Sequence, residues 1–329
     1  MMTTFLATLD PMLTLFFCIA AGFVLRKCNV LPADAGKVMA KLITWVFYPA
    51  LSFTTMAKYC TVQTLSTHAT NIALSACGVV VAMAIAIPLA RAFVPEGGAE
   101  WGVFAYALAF ANSSYMGDPL VMALFGDEML SYYKMYCLPV ILTIYTWGIS
   151  VLVPRGKKKS TLKTIFNPPM VAMLAGIAAG LSGLGAYMPS FLSSTLSSLK
   201  GCMGPTAMLL LGVTVANYPI REMLQKRSVY LATLLRLVAI PTVIIATLFG
   251  VKTLANLTFG LSIGNTVLFL SFFAVATPLG LNTVVFPEAY GGSPKTGASM
   301  ALVSHTAGVL TIPLLFALMV LLFGSPLVG

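Results

Sequence analysis

Charge is what this sequence has least of. Only 9% of its 329 residues are Asp, Glu, Lys or Arg, and 59% are hydrophobic; a soluble domain carries about 25% charged residues. Such a chain cannot cover itself with polar surface, so most of its solvent must be lipid. Catalytic signatures are lacking too. No HExxH, GxSxG or P-loop occurs, and the loops are too short for a catalytic domain. This argues against an enzyme, and against ATP-driven transport without a separate subunit. The six cysteines (Cys18, Cys28, Cys60, Cys77, Cys137, Cys202) form no CxxC pair, which leaves a zinc site or disulfide framework without support. No cofactor is expected. The flank MMTTFLATLDP has no Lys or Arg, so the first apolar run does not read as a signal peptide.

What the chain does have is apolar runs. Stretches of about 20 residues, enough to span a bilayer, lie near 5–25, 39–57, 70–94, 101–126, 132–153, 168–187, 193–217, 228–250, 262–287 and 298–323. Such runs favour an all-α membrane protein of ten helices over a barrel, whose strands would alternate over about 10 residues.

The net charge of +10 is placed by topology. One set of alternate loops holds Arg26, Lys27, Lys37, Lys41, Arg91, Arg155, Lys157, Lys158, Lys159, Lys163, Arg221, Lys226, Arg227 and Lys295. The other holds Lys58, Lys134, Lys200 and Lys252, with Arg236 left inside the eighth run. The richer set should be cytoplasmic. Both termini then lie outside, and PRGKKKSTLK (154–163) is the central cytoplasmic loop of a plasma (bacterial inner) membrane protein. Nucleic acid is not the expected partner; membrane lipid is.

That loop divides the chain into 1–153 and 168–329, with 154–167 between. Five spans per half turn the second half over. Pro49, Pro88, Pro119 and Pro139 precede Pro205, Pro241, Pro278 and Pro313 by 156, 153, 159 and 174 residues, as a duplicated unit would. Inverted repeats mark secondary transporters, whose paired broken helices hold the binding site near the midplane. The fourth and ninth runs carry the polar interruptions, ANSSYMGDPLVMALFG (111–126) and AVATPLGLNTVVFPEAYG (274–291). Asp118-Pro119 and Thr277-Pro278 each read as an N-cap followed by Pro, the start of a second half-helix. The freed backbone groups must be buried in protein or line a watered cavity.

The sequence resembles the auxin efflux carrier family, PIN-like and malate-permease-like transporters, over nearly its whole length. The resemblance rests on FYPALSF (47–53), FANSSYMGDPLVMALFG (110–126), NPPMVAMLAGIAAGL (167–181), GPTAMLLLGVTVAN (204–217), ATPLGLNTVVFPEAYG (276–291) and SHTAGVLTIPL (304–314). It implies ten helices in two inverted five-helix repeats with crossed, broken fourth and ninth helices. It also implies a dimerising scaffold (helices 1, 2, 6, 7) and a transport part (3–5, 8–10) that moves as an elevator. It further implies a small carboxylate bound where the broken helices cross, held by the residue matching Asn112. Bacterial members of that family usually have an apolar residue where this chain has Asp118.

The candidate substrate ligands are Asn112, Ser113, Ser114 and Tyr115 before the first break, Asn282 and Thr283 after the second, and Ser52 and Thr214 opposite. Their alternative role is cross-bonding between helices. Asp118 and His305 are the candidates for proton coupling; the alternatives are a helix cap for Asp118 and a packing role for His305. Arg236 reads as snorkelling toward the interface. An ionised Asp118 at a half-helix N-terminus would compete with a substrate anion for the positive end, so an anionic substrate needs Asp118 protonated or paired. This favours H⁺ coupling over Na⁺, since few further acids exist to build an oxygen-rich sodium site. A sodium-coupled bile-acid-type symporter, a channel and a receptor are the alternatives.

Overall fold

The computed structural model describes residues 2–152, 166–284, 286 and 294–324. The basic loop 154–163, with Arg155, Lys157, Lys158, Lys159 and Lys163, lies wholly outside the described residues. Helix makes up 85% of the structure. No strand occurs among the described residues, only one isolated antiparallel bridge, Ala111 to Leu279. This suits a chain in lipid, because a helix satisfies its own backbone donors and acceptors.

Among the described residues, five helices are long and apolar enough to cross a membrane: Thr4–Lys27, Leu65–Phe93, Ser190–Ala216, Arg227–Phe259 and Lys295–Phe323. A sixth span forms if Ser113–Tyr136 and Leu138–Leu152, bent by 46°, are taken together. The other apolar runs are shorter or interrupted. In chain order, the elements used below are α1 (Met2–Lys27), α2 (Ala35–Leu42), α3 (Tyr48–Tyr59), α4 (Leu65–Phe93), α5 (Gly98–Ala109), α6 (Asp118–Tyr136), α7 (Leu138–Thr143) and α8 (Ile149–Leu152). They continue with α9 (Pro168–Leu181), α10 (Ser190–Gly201), α11 (Met203–Ala216), α12 (Ile220–Met223), α13 (Arg227–Leu234), α14 (Ile240–Phe259), α15 (Thr266–Ala276) and α16 (Pro294–Phe323).

Proline shapes several of these rods without ending them. The π-turns Ile43–Phe47, Ser113–Gly117 and Leu235–Ala239 each stop two residues before a proline: Pro49, Pro119 and Pro241. A proline ring clashes with the carbonyl four residues back and cannot bond to it. One wider turn absorbs the clash while the helix continues.

Two packed groups emerge. In one, α1 lies along α11, and α3 lies along α9 and α10. Small residues bring these backbones together: a Cβ on Gly212 would strike the Ile19 carbonyl, and one on Gly176 would lie 2.7 Å from the Phe53 carbonyl. In the other, α4 gathers α5, α6, α7 and α14, while α15 packs on α14 and α16 on α13. The groups touch where α3 and α11 meet α6 and its preceding π-turn, and where α16 runs along α1.

Three expectations need correction. The helix restart is not at Asp118-Pro119. Asp118 has helical dihedrals and its N–H bonds to the Ser113 carbonyl, so the second helix already begins at Ser113. The interruption is the stretch Phe110–Asn112. The fifth span does not start at 132. Gly126, at φ 80°, breaks the chain direction, so the next helical segment opens at Asp127 and Glu128. Lys134 is therefore not a loop residue but lies two turns, about 10 Å, inside, with 1% of its surface exposed. Lys252 is likewise helical and buried, donating to Asn265 Oδ1 at 2.6 Å.

Candidate functional site

The two interrupted runs meet. Phe110 is extended after α5, and Thr277 is extended after α15. The Asn112 N–H donates to the Pro278 carbonyl at 2.7 Å, and the Gly280 N–H donates to the Phe110 carbonyl at 3.2 Å. Each segment thus satisfies backbone groups that the other's broken helix leaves without intrahelical partners. The pairing is brief because both chains return to helix within a few residues.

Side chains fix this junction. The Asn112 amide nitrogen lies 3.1 Å from His305 Nε2, and His305 Nδ1 lies 2.8 Å from the Ala301 carbonyl. A carbonyl only accepts, so Nδ1 carries the proton and Nε2 accepts from Asn112. The geometry fits a neutral imidazole in a packing role. Protonating Nε2 would set two donors against each other unless the Asn112 amide turned over. Tyr133 donates its hydroxyl to the Ser113 carbonyl at 3.0 Å, and Asn282 donates to the Tyr106 hydroxyl at 3.0 Å.

Behind the junction lies a buried ion pair. The Lys134 ammonium contacts Asp118 Oδ2, with 1% and 2% of the two side chains exposed. The same ammonium stands 4.1 Å from the centre of the Tyr48 ring, a favourable site for a cation. The Tyr48 hydroxyl donates to Ser114 Oγ at 2.9 Å. Asp118 is therefore paired, one of the two states that an anionic substrate requires of it. Among the described residues its side chain accepts from the Lys134 ammonium rather than from a backbone N–H.

A small cavity opens beside the pair. Tyr48, Ser52, Ser114, Tyr115, Lys134 and Asn282 supply its polar walls, with α9 closing one side. Its free volume of about 30 Å³ holds about two waters, so a larger occupant requires the walls to part. Four of the eight expected ligands line it: Ser52, Ser114, Tyr115 and Asn282. The other four lie elsewhere. Asn112 is turned to His305, Ser113 is buried but not among the cavity's walls, and Thr283 donates to the Gly280 carbonyl at 2.9 Å. Thr214 packs toward α2, near Gly36. Pro119 and Pro278 are packing points rather than ligands: a Cβ on Gly204 would come 2.8 Å from Pro119, and one on Gly308 2.8 Å from Pro278.

Lys134 was missed by the sequence reading. The signal was present in Gly126-Asp127-Glu128, a breaker followed by an acidic first turn, which moves the helix start five residues forward. Arg236 also departs from expectation. It does not snorkel but is 2% exposed, in the π-turn that meets α5, α15 and α16. Its guanidinium nitrogens have no hydrogen-bond partner among the described residues. His68 is fully buried, its ring 5.0 Å from that of Tyr132. A broader cleft of about 600 Å³ opens where α4 begins and α6 ends, lined by Asn71, Phe125, Glu128, Tyr132 and Ser262 among others. It is roomier, but its one charge is the exposed Glu128. The small cavity holds the buried ammonium and is the better candidate for recognising an anion.

Comparison with known proteins agrees in kind. The model of a family described as membrane transport protein matches residues 7–316. A protein of Methanocaldococcus jannaschii, described as an uncharacterized transporter, is 22% identical over 314 residues, or 93% of this chain and 97% of that one. Another uncharacterized transporter, from Methanothermobacter thermautotrophicus, is 25% identical over 217 residues, or 64% of this chain and 69% of the relative.

Proposed function

The chain belongs to the membrane transport protein family, the auxin efflux carriers, and on that premise we propose that it is a secondary carrier of a small organic anion. The observation that carries the anion is Lys134: a buried ammonium on the wall of a polar cavity, beside the meeting point of two interrupted helical runs. An ammonium with hydroxyls and an amide around it can hold a carboxylate by charge-assisted hydrogen bonds.

In this reading ten helices form two inverted five-helix repeats whose fourth and ninth members cross, broken, at mid-depth. The proline spacing and the mutual hydrogen bonds of Phe110–Asn112 with Pro278–Gly280 support it. The scaffold is α1 with α11 and α3 with α9 and α10; the transport part is the group gathered on α4, with α13 to α16. The cavity sits between them, lined by Ser52 and Met170 of the first and Ser114 and Lys134 of the second. Relative sliding of the two groups, elevator fashion, would open it to alternate sides. The scaffold face would pair two protomers. The excess of Lys and Arg in one set of alternate loops supports an orientation with both termini outside the plasma membrane. Sodium coupling is disfavoured because the Asp118 carboxylate already has a fixed cation, Lys134.

The test is counterflow in proteoliposomes with labelled lactate, malate and indole-3-acetate. Exchange of at least one is expected. No exchange of any acid, together with movement of a neutral or cationic solute, would refute the proposal.

A further inference from the structure

If the junction cavity takes a carboxylate, as proposed above, we infer that Lys134 binds it and that Asp118 must take up one proton as it does. The ammonium has three N–H donors. One side of it is held by Asp118 Oδ2, and another lies over the Tyr48 ring. Lys134 also lines the cavity, whereas Asp118 is not among its walls. The approach left for an incoming oxygen is from the cavity, past Ser52, Ser114 and Tyr115.

Charge then sets the stoichiometry. The empty site is neutral, one ammonium with one carboxylate. A substrate monoanion would leave a buried net charge of −1, and an uncompensated buried ion costs several kcal/mol. The other titratable groups around the pair are phenols and a thiol: Tyr48 from α3, Tyr115 from the π-turn before α6, Tyr133 and Cys137 from α6 and its end, and Tyr145 from a further π-turn, Ile144–Gly148, that follows α7. They are uncharged when protonated, so none can cancel the added charge by taking a proton. Asp118 can. A proton from water on the loading side moves to an Asp118 carboxylate oxygen, the Lys134 ammonium turns to the substrate carboxylate, and neutrality returns. On the far side the proton leaves to water and Asp118 reclaims Lys134. Asp118 is thus a built-in competitor that occupies the substrate's cation in the empty carrier. No covalent bond to the substrate forms or breaks, and one proton travels with each monocarboxylate.

The test uses purified full-length protein in proteoliposomes with whichever acid of the panel moves fastest. Wild type is expected to carry one proton per monocarboxylate, read with an entrapped pH indicator. Its apparent affinity should fall about tenfold per pH unit above the titration of Asp118. In Asp118→Asn, whatever exchange remains should carry no proton and show no dependence on pH. Lys134→Met should weaken binding at least tenfold. Unimpaired affinity in Lys134→Met, or charge movement without a proton in wild type, would overturn the inference. The wild-type proton count decides even if a variant does not fold. Should wild type move no carboxylate at all, both this inference and the carrier reading above fall. Carboxylate transport without protons sinks the inference alone.

Discussion

Removing the Asp118 carboxylate should cost far more than removing any other paired acid. Lys134 and Asp118 are 1% and 2% exposed, whereas Lys295 and Glu222, also in contact, are 55% and 51% exposed. Two unit charges at 4 Å attract by about 1 kcal/mol in water and about 4 kcal/mol at an effective dielectric of 20. Exposed pairs return about 0.2–1 kcal/mol in practice. Breaking a buried pair costs about 3–5 kcal/mol, because the remaining charge stays desolvated. Asp118→Asn should therefore destabilise by about 3–5 kcal/mol, and Glu222→Gln by less than about 1 kcal/mol. The double variant Asp118→Asn/Lys134→Met should recover most of the loss, since no buried charge remains. Thermal unfolding in detergent, completed as a double-variant cycle, measures this. Equal effects of Asp118→Asn and Glu222→Gln, or additive losses in the double variant, would refute the buried pair as the site's electrostatic centre.

Other outcomes follow from the junction. Ala111 and Leu279 are a non-hydrogen-bonded antiparallel pair, which sets Cα atoms about 4.5 Å apart, within disulfide reach. Ala111→Cys/Leu279→Cys in a background lacking the six native cysteines should cross-link under mild oxidant, read by peptide mapping; no bond would place the segments apart. A Cβ on Gly117 would overlap the Tyr133 hydroxyl, so Gly117→Ala should cost about 1–3 kcal/mol. Adding Tyr133→Phe, which removes that oxygen, should restore part of the loss in the same melting assay; no restoration would point to another cause. Asn112→Ala leaves buried His305 Nε2 without its donor and should cost about 1–3 kcal/mol. A melting temperature equal to wild type would contradict the Asn112–His305 bond.

The sequence alone pointed to lipid as solvent, because 9% charge cannot clothe this chain. It also located both interruptions to within a few residues, because proline and polar clusters are costly inside an apolar helix wherever they fall. Thr277-Pro278 could be read as a break from local chemistry. Asp118-Pro119 misled for a definite reason: a π-turn lets the helix pass through the proline, and the true gap fell back to Phe110–Asn112.

What the tertiary structure decided was which polar groups face one another. Lys134 and Asp118 are 16 residues apart, and no helical periodicity brings them together; the break at Gly126 does. Asn112 reached His305, 193 residues away, instead of the cavity. Composition and local preference fix where a chain can bend and which runs seek lipid. The pairing of buried polar groups depends on distances across helices far apart in sequence, and only the packed fold sets those distances.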